Sequence, residues 1–541
     1  MADKLYFSRD SKLYVELTDS DGDFQGLWEV PVLDGFSFSQ TTNQTEIGLN
    51  EMESTAGISR RGRRLFTDSL APAEWSFSTY IRPTNRGSSK MHLVDQVLWA
   101  SMAGADEFAG AGVTNTGTTT EGDYTRLKDP VNGVGGTSGL VYDEAGATLL
   151  SGGTGGLLGF QNSNRSTLPQ ITLYFVFETD PQEPIVYKLS NAIVNECSID
   201  FDIDGIATAN WSGFAKEVED LKSLGLVKVQ TTAPAVIQDT VWLDSDADLE
   251  LYVPVDSGGK PSGSAAVHDA YYPAINSGVT STKNFIRNRL TQLEVRGQQP
   301  EVMEGKPLSF TGITLGSTTV FTGVASGHGV KVGDTIRIVG VVDNNTSSSN
   351  TLQAALNNTN HTVTAVAATT ISISTSTSGL DAYASGGTIN TGIYNFTLTG
   401  GNITISNNVT YLVPEELGTI NKPVEGVTGA RAIGGSFTCY LVFDDTGSDG
   451  DNTGSSADFF SDLVNPTKGL TKVVNDFNVT FKVGGTVSSE PRINLNFPKV
   501  HIDVPSHSIE DVISLETNFG AYTNDFNTVD EFNLEVFGVT A

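Results

Sequence analysis

Residues 183–213 read EPIVYKLSNAIVNECSIDFDIDGIATANWSG. The middle of this stretch alternates. Ile193, Cys197, Ile199, Phe201 and Ile203 share one parity, while Glu196, Ser198, Asp200, Asp202 and Asp204 share the other. A period of two predicts a strand with one buried face and one wet, acidic face. Asp204-Gly205 then predicts a turn into a second strand. The same length of chain recurs as EPRINLNFPKVHIDVPSHSIEDVISLETNFG at 490–520. Without a gap the two coincide at Glu183/Glu490, Pro184/Pro491, Asp204/Asp511, Ile206/Ile513 and Gly213/Gly520.

The flanking order repeats as well. SFSTYI (76–81) is echoed by SFTCYL (436–441), and ITLYFVF (171–177) by FNVTFKV (477–483). Between each pair lies one helical pattern, read as 88–102 in the first block, capped by Ser88 or Ser89, and 456–464 in the second. Strand, polar loop, strand, helix, strand and long strand pair therefore occur twice, which predicts a tandem duplication. The blocks cover 1–216 and 284–302 plus 392–541. A surface insertion falls at about 104–168, and 217–283 is a connection with a small hairpin around VWLDSDADLELYV.

Residues 303–391 interrupt the second block. Alternating apolar and Thr/Ser positions around Gly-rich turns predict a small independent β-barrel. Its TTV-T-x-x-HG-x-x-VGD-x-I-x-I run, from Thr318 to Ile338 with His328, Gly329, Val332, Gly333 and Asp334, resembles small barrel modules inserted in phage virion proteins. Such a module leaves its host intact when its ends lie close together.

Composition bounds the function. The 541 residues exceed what one hydrophobic core serves. With 57 glycines and abundant Thr, Ser and Asn between β-branched runs, the class is all-β. Lys and Arg number 32 against 63 Asp and Glu, a net charge of -31. That balance opposes a phosphate-neutralising grip on nucleic acid. Cys197 and Cys439 sit in apolar strands and are read as buried thiols. The N-terminal residues carry no signal-peptide core, and no apolar run reaches the roughly 18 residues of a membrane span. The expectation is synthesis in the cytoplasm and no membrane contact.

Residues 43–71 form a long polar excursion with segregated charge: Glu46, Glu51 and Glu53, then Arg60, Arg61, Arg63 and Arg64. Within so acidic a chain, this basic cluster fits a subunit or ring contact better than a nucleic-acid site. DSDGD (19–23), DSDAD (244–248) and DTGSDGD (445–451) lack the closing glutamate of a calcium loop. His501, Asp503 and His507 stand without a second ligand cluster. No nucleophile elbow and no phosphate-binding loop occur. The expectation is no enzyme, cofactor or metal.

The order of elements and the SIDFDIDGIATANWSGF ending (198–214) resemble the tail tube protein of tailed bacteriophages. That resemblance implies two tandem tail-tube-type β-sandwich folds, each with one flanking helix, plus the inserted β-barrel. It implies a virion protein in which six folds make a ring, inner strands form a continuous barrel, and rings stack around a DNA channel. A duplicated chain would supply six folds from three copies. Its partners would be itself, other tail proteins and genomic DNA passing without specific binding. Asp200, Asp202 and Asp204 would then line the channel. The barrel, too large for a channel, would decorate the outside, which favours a tail without a sheath. Other readings are a tail-tip or terminator ring, a glycan-binding adhesin working through the small barrel, and a glycosidase. The adhesin meets only Phe310, Phe321 and Tyr383 as aromatics in 303–391. The glycosidase would need converging carboxylates that no motif here pairs.

Overall fold

The computed structural model describes residues 6–7, 11–18, 24–33, 35–46, 65–85, 91–103, 147–150, 153–160, 168–177, 185–202, 204–220, 225–226, 229–230, 237–238, 242–243, 284–297, 299–344, 351–413, 422–443, 452–464, 476–485, 490–509, 512–523 and 531–540. The all-β expectation holds. The first half contains β1 (Ser11–Thr18), β2 (Phe24–Val30), β3 (Ser37–Ser39), β4 (Thr42–Glu46), β5 (Leu65–Leu70) and β6 (Ala73–Tyr80). Helix α1 (Gln96–Ala103) follows, then β7 (Gly153–Phe160), β8 (Ile171–Phe177), β9 (Ile185–Asp202), β10 (Thr208–Ala215) and β11 (Glu217–Asp220). The second half contains β12 (Gln292–Gly297), β13 (Ile393–Ser406), β14 (Ala432–Tyr440), helix α2 (Ser456–Val464) and β15 (Phe477–Gly484). It ends in β16 (Arg492–Ile502), β17 (Ser506–Ile509), β18 (Ile513–Ala521) and β19 (Phe532–Phe537).

Each half folds into two packed antiparallel layers. In the first half one layer runs β2-β1-β8-β9-β11 and the other β3-β6-β10-β9. In the second half the layers run β13-β12-β15-β16-β19 and β13-β14-β18-β17. The order is the same strand for strand. Even the irregularity repeats. A bulge separates the β8–β9 pairs Ile171↔Ala192 and Leu173↔Leu189, and another the β15–β16 pairs Phe477↔Val500 and Val479↔Phe497.

Pairing also corrects the gapless alignment of 183–213 with 490–520. Phe175 faces Tyr187 and its counterpart Phe481 faces Leu495, one residue later than that alignment gives. Ser76 faces Ser212 and its counterpart Ser436 faces Asn518, one residue earlier. The second hairpin is therefore tighter, and the chance identities hid the shift.

The long strand β9 serves both layers. Its first arm pairs with β8 and its second with β10, and a bulge at Asn195 separates the arms. A bulge adds one residue and reverses parity beyond it. Ile193 therefore does not share the face of Cys197, Ile199 and Phe201, as simple alternation predicts. It packs in a satellite cluster with Leu168, Val409 and Tyr411, while Val194 takes the place in the main core. Ile203 lies outside the described residues.

The halves share one core. Trp75, Trp99 and Trp211 from the first pack continuously with Phe437, Phe481, Phe497 and Phe519 from the second. Three strand pairings among the described residues knit them: β9 with β13, β7 with β19, and Val539–Thr540 with Thr84–Asn85. Thus part of the segment read as a surface insertion adds a strand to the second half. The bulged Asn195 is a cross-half anchor, its carbonyl accepting from Asn407 N at 2.8 Å and its Oδ1 from Val409 N at 2.7 Å.

Helix α1 begins at Gln96, later than the Ser88–Met102 span its pattern predicts. Met91–Leu93 instead pairs with Pro83–Asn85, and the Asp95 carbonyl accepts from Leu98 N and Trp99 N. Its Val97, Leu98, Trp99 and Met102 are fully buried. Of the predicted hairpin in the connection, Trp242–Leu243 pairs with Gly225–Leu226, and the rest lies outside the described residues.

Residues 308–390 form a seven-stranded sheet rolled around its own core of Phe310, Phe321, Ile336, Ile338, Ile371 and Ile389. Its entry and exit touch: Gly392 N donates to the Glu304 carbonyl at 3.2 Å. Gly305 and Gly392 both adopt φ +65, a conformation that L side chains resist at so close an approach. An ion cluster seats this module on β12. Arg296 bonds Glu294 at 2.6 Å, Asp334 at 2.5 Å and the Gly329 carbonyl at 2.7 Å. Lys331 at 3.2 Å and Lys482 at 2.7 Å complete the shell around Glu294. The HG-x-x-VGD run is thus the module's seat: His328 Nδ1 accepts from Val330 N, and Asp334 accepts from Lys331 N.

Candidate functional site

One layer of the first half and one of the second join into one sheet, β3-β6-β10-β9-β13-β14-β18-β17. One face packs on the core. Registers across all these strands identify what stands on the other. Ser37 faces Ser76, Ser76 faces Ser212, and Ser212 faces Glu196. Glu196 faces Ser406, Asn402 faces Ser436, Ser436 faces Asn518, and Glu516 faces Ser506.

The open face is short, polar and acidic. Its carboxylates are Glu74, Glu196, Asp200, Asp202 and Glu516, with Asp204 at the adjoining turn. Asp200 and Asp202 are exposed on this strand face, and Asp204 is exposed at the turn. Among the described residues at these register positions there is no Lys and no Arg. Side chains bond laterally and lie flat. Ser78 Oγ donates to Asn210 Oδ1 at 2.7 Å, and Asn210 Nδ2 donates to Asp200 Oδ2 at 3.0 Å. Ser37 and Ser76 hydroxyls meet at 2.9 Å, and Ser436 Oγ donates to Asn402 Oδ1 at 3.1 Å. With no cation at these described positions, such a surface carries no side-chain positive charge to neutralise a phosphate.

Sequence reasoning missed Glu74 and Glu516 and the Ser/Thr/Asn ladder between them. The echo SFSTYI/SFTCYL carried the signal, since its even positions are all hydroxyl or aromatic-hydroxyl residues.

Of the charged excursion, the ends flanking 47–64 are described. β4 and β5 form an antiparallel hairpin that ends at the pair Glu46↔Leu65, with Leu65 and Phe66 both exposed. Glu46 is exposed at its tip. Glu51, Glu53, Arg60, Arg61, Arg63 and Arg64 lie outside the described residues, as do the three calcium-like turns. His501 and His507 do not converge: His501 Nε2 is 3.5 Å from Asp503, whereas the His507 ring packs edge-on to Phe460. Among the described residues no group of His, Cys, Asp or Glu is arranged to hold a metal. No described helix is long and apolar enough to cross a membrane. Cys197 and Cys439 are buried and unpaired, and burial pushes both thiols up, Cys439 to about 12.

A repeated two-layer β-sandwich with one continuous anionic face has the architecture expected of the tube-forming subunits that the sequence resembles. No family model matches the chain. Over 529 residues, 97% of this chain and 75% of the relative, it is 21% identical to Tail tube protein pb6 of Escherichia phage T5. Together with the all-β fold, that full-length likeness bears out the resemblance to the phage tail tube family.

Proposed function

We propose that the protein is a tail tube subunit, a structural component of the virion without catalytic activity. Copies join side by side into rings, three chains supplying six similar folds, and the rings stack around a channel for DNA. The anionic face lines the channel, and DNA slides past it without specific contact. A heterologous contact that closes on itself makes a ring, and a second one between rings makes an open stack. The repeated halves arise by duplication. The 43–71 excursion reaches the adjacent ring or subunit, other tail proteins cap the tube, and the module at 308–390 decorates its outside.

The observation that carries this reading is the cation-free face running unbroken across both halves. The full-length likeness to a tail tube protein supports it independently. Electron microscopy of the purified protein, with rotational averaging of end-on views, tests it. Long hollow tubes with threefold, pseudo-sixfold symmetry are expected. Single rings that never stack would indicate a tail-tip or terminator component. True sixfold rings of whole chains would overturn the claim that each chain supplies two folds.

A further inference from the structure

The joint between the halves is a template for the joint between copies. At the inner joint the second arm of β9 lies beside β13, with Ser198 opposite Thr404, Ile199 opposite Ile403 and Asp200 opposite Asn402. Each participant has a counterpart in the other half. β3 takes the place of β13: Ser37 faces Ser76 of β6 as Asn402 faces Ser436 of β14. β17 takes the place of the β9 arm: Ser506 and Ser508 face Glu516 and Ser514 of β18, as Ser198 and Asp200 face Asn210 and Thr208 of β10.

These counterparts are the two ends of the eight-stranded face. Among the described residues β3 pairs only with β6, and β17 only with β18. An open strand edge is a pairing template, and a protein that leaves one uncovered invites a partner. The side chains say the same. Phe201, next along β9, is 6% exposed and stacks on Phe481 of the second half. Its counterpart on β17, Ile509, is 78% exposed, with Val504 at 65% and Val512 at 57% beside it. One edge is sealed within the chain, and the equivalent edge is bare, with Ile509 exposed on it.

We propose that β17 of one copy pairs with β3 of the next, placing Ser506 opposite Ser39, His507 opposite Phe38 and Ser508 opposite Ser37. Ile509 then meets Phe36 of the neighbour, as Phe201 meets Gly401 within the chain. The occupant is a second copy of this chain, because the seam continues a sheet the chain already builds with itself. The register rests on the ring-forming reading above and adds which residues meet.

Cysteine cross-linking reads the register directly. Directly opposed Cβ atoms lie about 4.5–5.5 Å apart, near disulfide reach, and diagonal neighbours about 7–8 Å. Cys197 and Cys439 are buried and do not compete. Assembled S37C/S508C protein, oxidised, should give reductant-sensitive covalent oligomers at least tenfold above the off-register pair S37C/S506C. Ile509→Asp should abolish assembly while leaving the circular dichroism of the monomer unchanged. Rings without preferential cross-linking, or an Ile509→Asp protein that assembles like the parent, would overturn the seam and leave the ring reading standing. Cross-linked chains that never stack would uphold the seam and overturn the tube. A parent that forms no rings and no cross-links would overturn both.

Discussion

Ile199 of the first half lies directly opposite Ile403 of the second, and both are buried, at 1% and 0% exposure. The boundary between the halves is therefore core, and they should unfold together. Ile403→Ala should cost about 2–5 kcal/mol through lost burial and the cavity left behind. Trp75, Trp99 and Trp211 are all in the first half, so their fluorescence in a denaturant series reports whether a second-half substitution destabilises it. A shift confined to second-half probes would show that the halves fold independently.

Reversing charge on the open face should create the grip that the native face lacks. The triple variant Asp200→Lys, Asp202→Lys and Glu516→Lys should bind duplex DNA at low salt where the parent does not. The log of its affinity should fall against log salt with a slope of about −0.9 per phosphate contacted. Filter binding across a salt series measures it.

Asp95 is a liability in the core. Its Oδ2 accepts from Thr79 Oγ1 at 2.8 Å, Thr79 in turn accepts from Trp211 Nε1 at 3.0 Å, and among the described residues its Oδ1 has no hydrogen-bond partner. Burial raises its pKa to about 6, only partly offset by Thr79 and Arg82. A carboxyl whose folded pKa is raised binds its proton more tightly when folded. Stability is then lost as pH rises from the unfolded value near 4 to about 6, by about 3 kcal/mol. Asp95→Asn should abolish that slope and raise the melting temperature at pH 7. Thermal melts from pH 4 to 7 on both proteins check it.

Glu294 behaves in the opposite sense. Burial alone would push its pKa up, but Arg296, Lys482 and Lys331 hold it well below the usual carboxylate range. Stability from a depressed carboxyl is present above its unfolded pKa, near 4.3, and is lost as pH falls through the folded value. The parent should therefore weaken progressively below about pH 5. Glu294→Gln leaves buried Arg296 and half-buried Lys482 facing a neutral amide, which should cost about 3–5 kcal/mol at pH 7. Its stability should then vary less than the parent's between pH 5 and 2, as chemical denaturation at each pH would show.

The small module should be dispensable for the host fold. Its entry and exit meet where Gly392 N bonds the Glu304 carbonyl, so joining Gly305 directly to Gly392 closes the gap with little strain. A chain lacking 306–391 should still form tubes, narrower in outer diameter by electron microscopy. Failure to fold would show that the Arg296–Asp334 contact is needed to hold β12 in place.

The acidic face was legible because alternation fixes sides within a strand, and Asp200 and Asp202 needed no neighbour to be placed. The double strand order was legible from the echoes of SFSTYI and ITLYFVF. What failed was parity across Asn195. A bulge is set by where two arms of one strand must turn into different layers, and no local preference marks it. Ile193 went to the wrong side for that reason. The late start of α1 had a similar cause, since Met91–Leu93 found a strand partner that helical spacing does not reveal.

The sequence by itself determined the class, the charge and the repeat, because these depend on composition and on the two-residue period of single strands. Tertiary structure alone decided which strands meet. It placed Glu74 and Glu516 on the same face as Asp200, made the HG-x-x-VGD run a seat for its module, and left Ile509 bare where Phe201 is covered. Each of these depends on strand pairing or ion pairs between segments brought together by the fold, which no local pattern encodes.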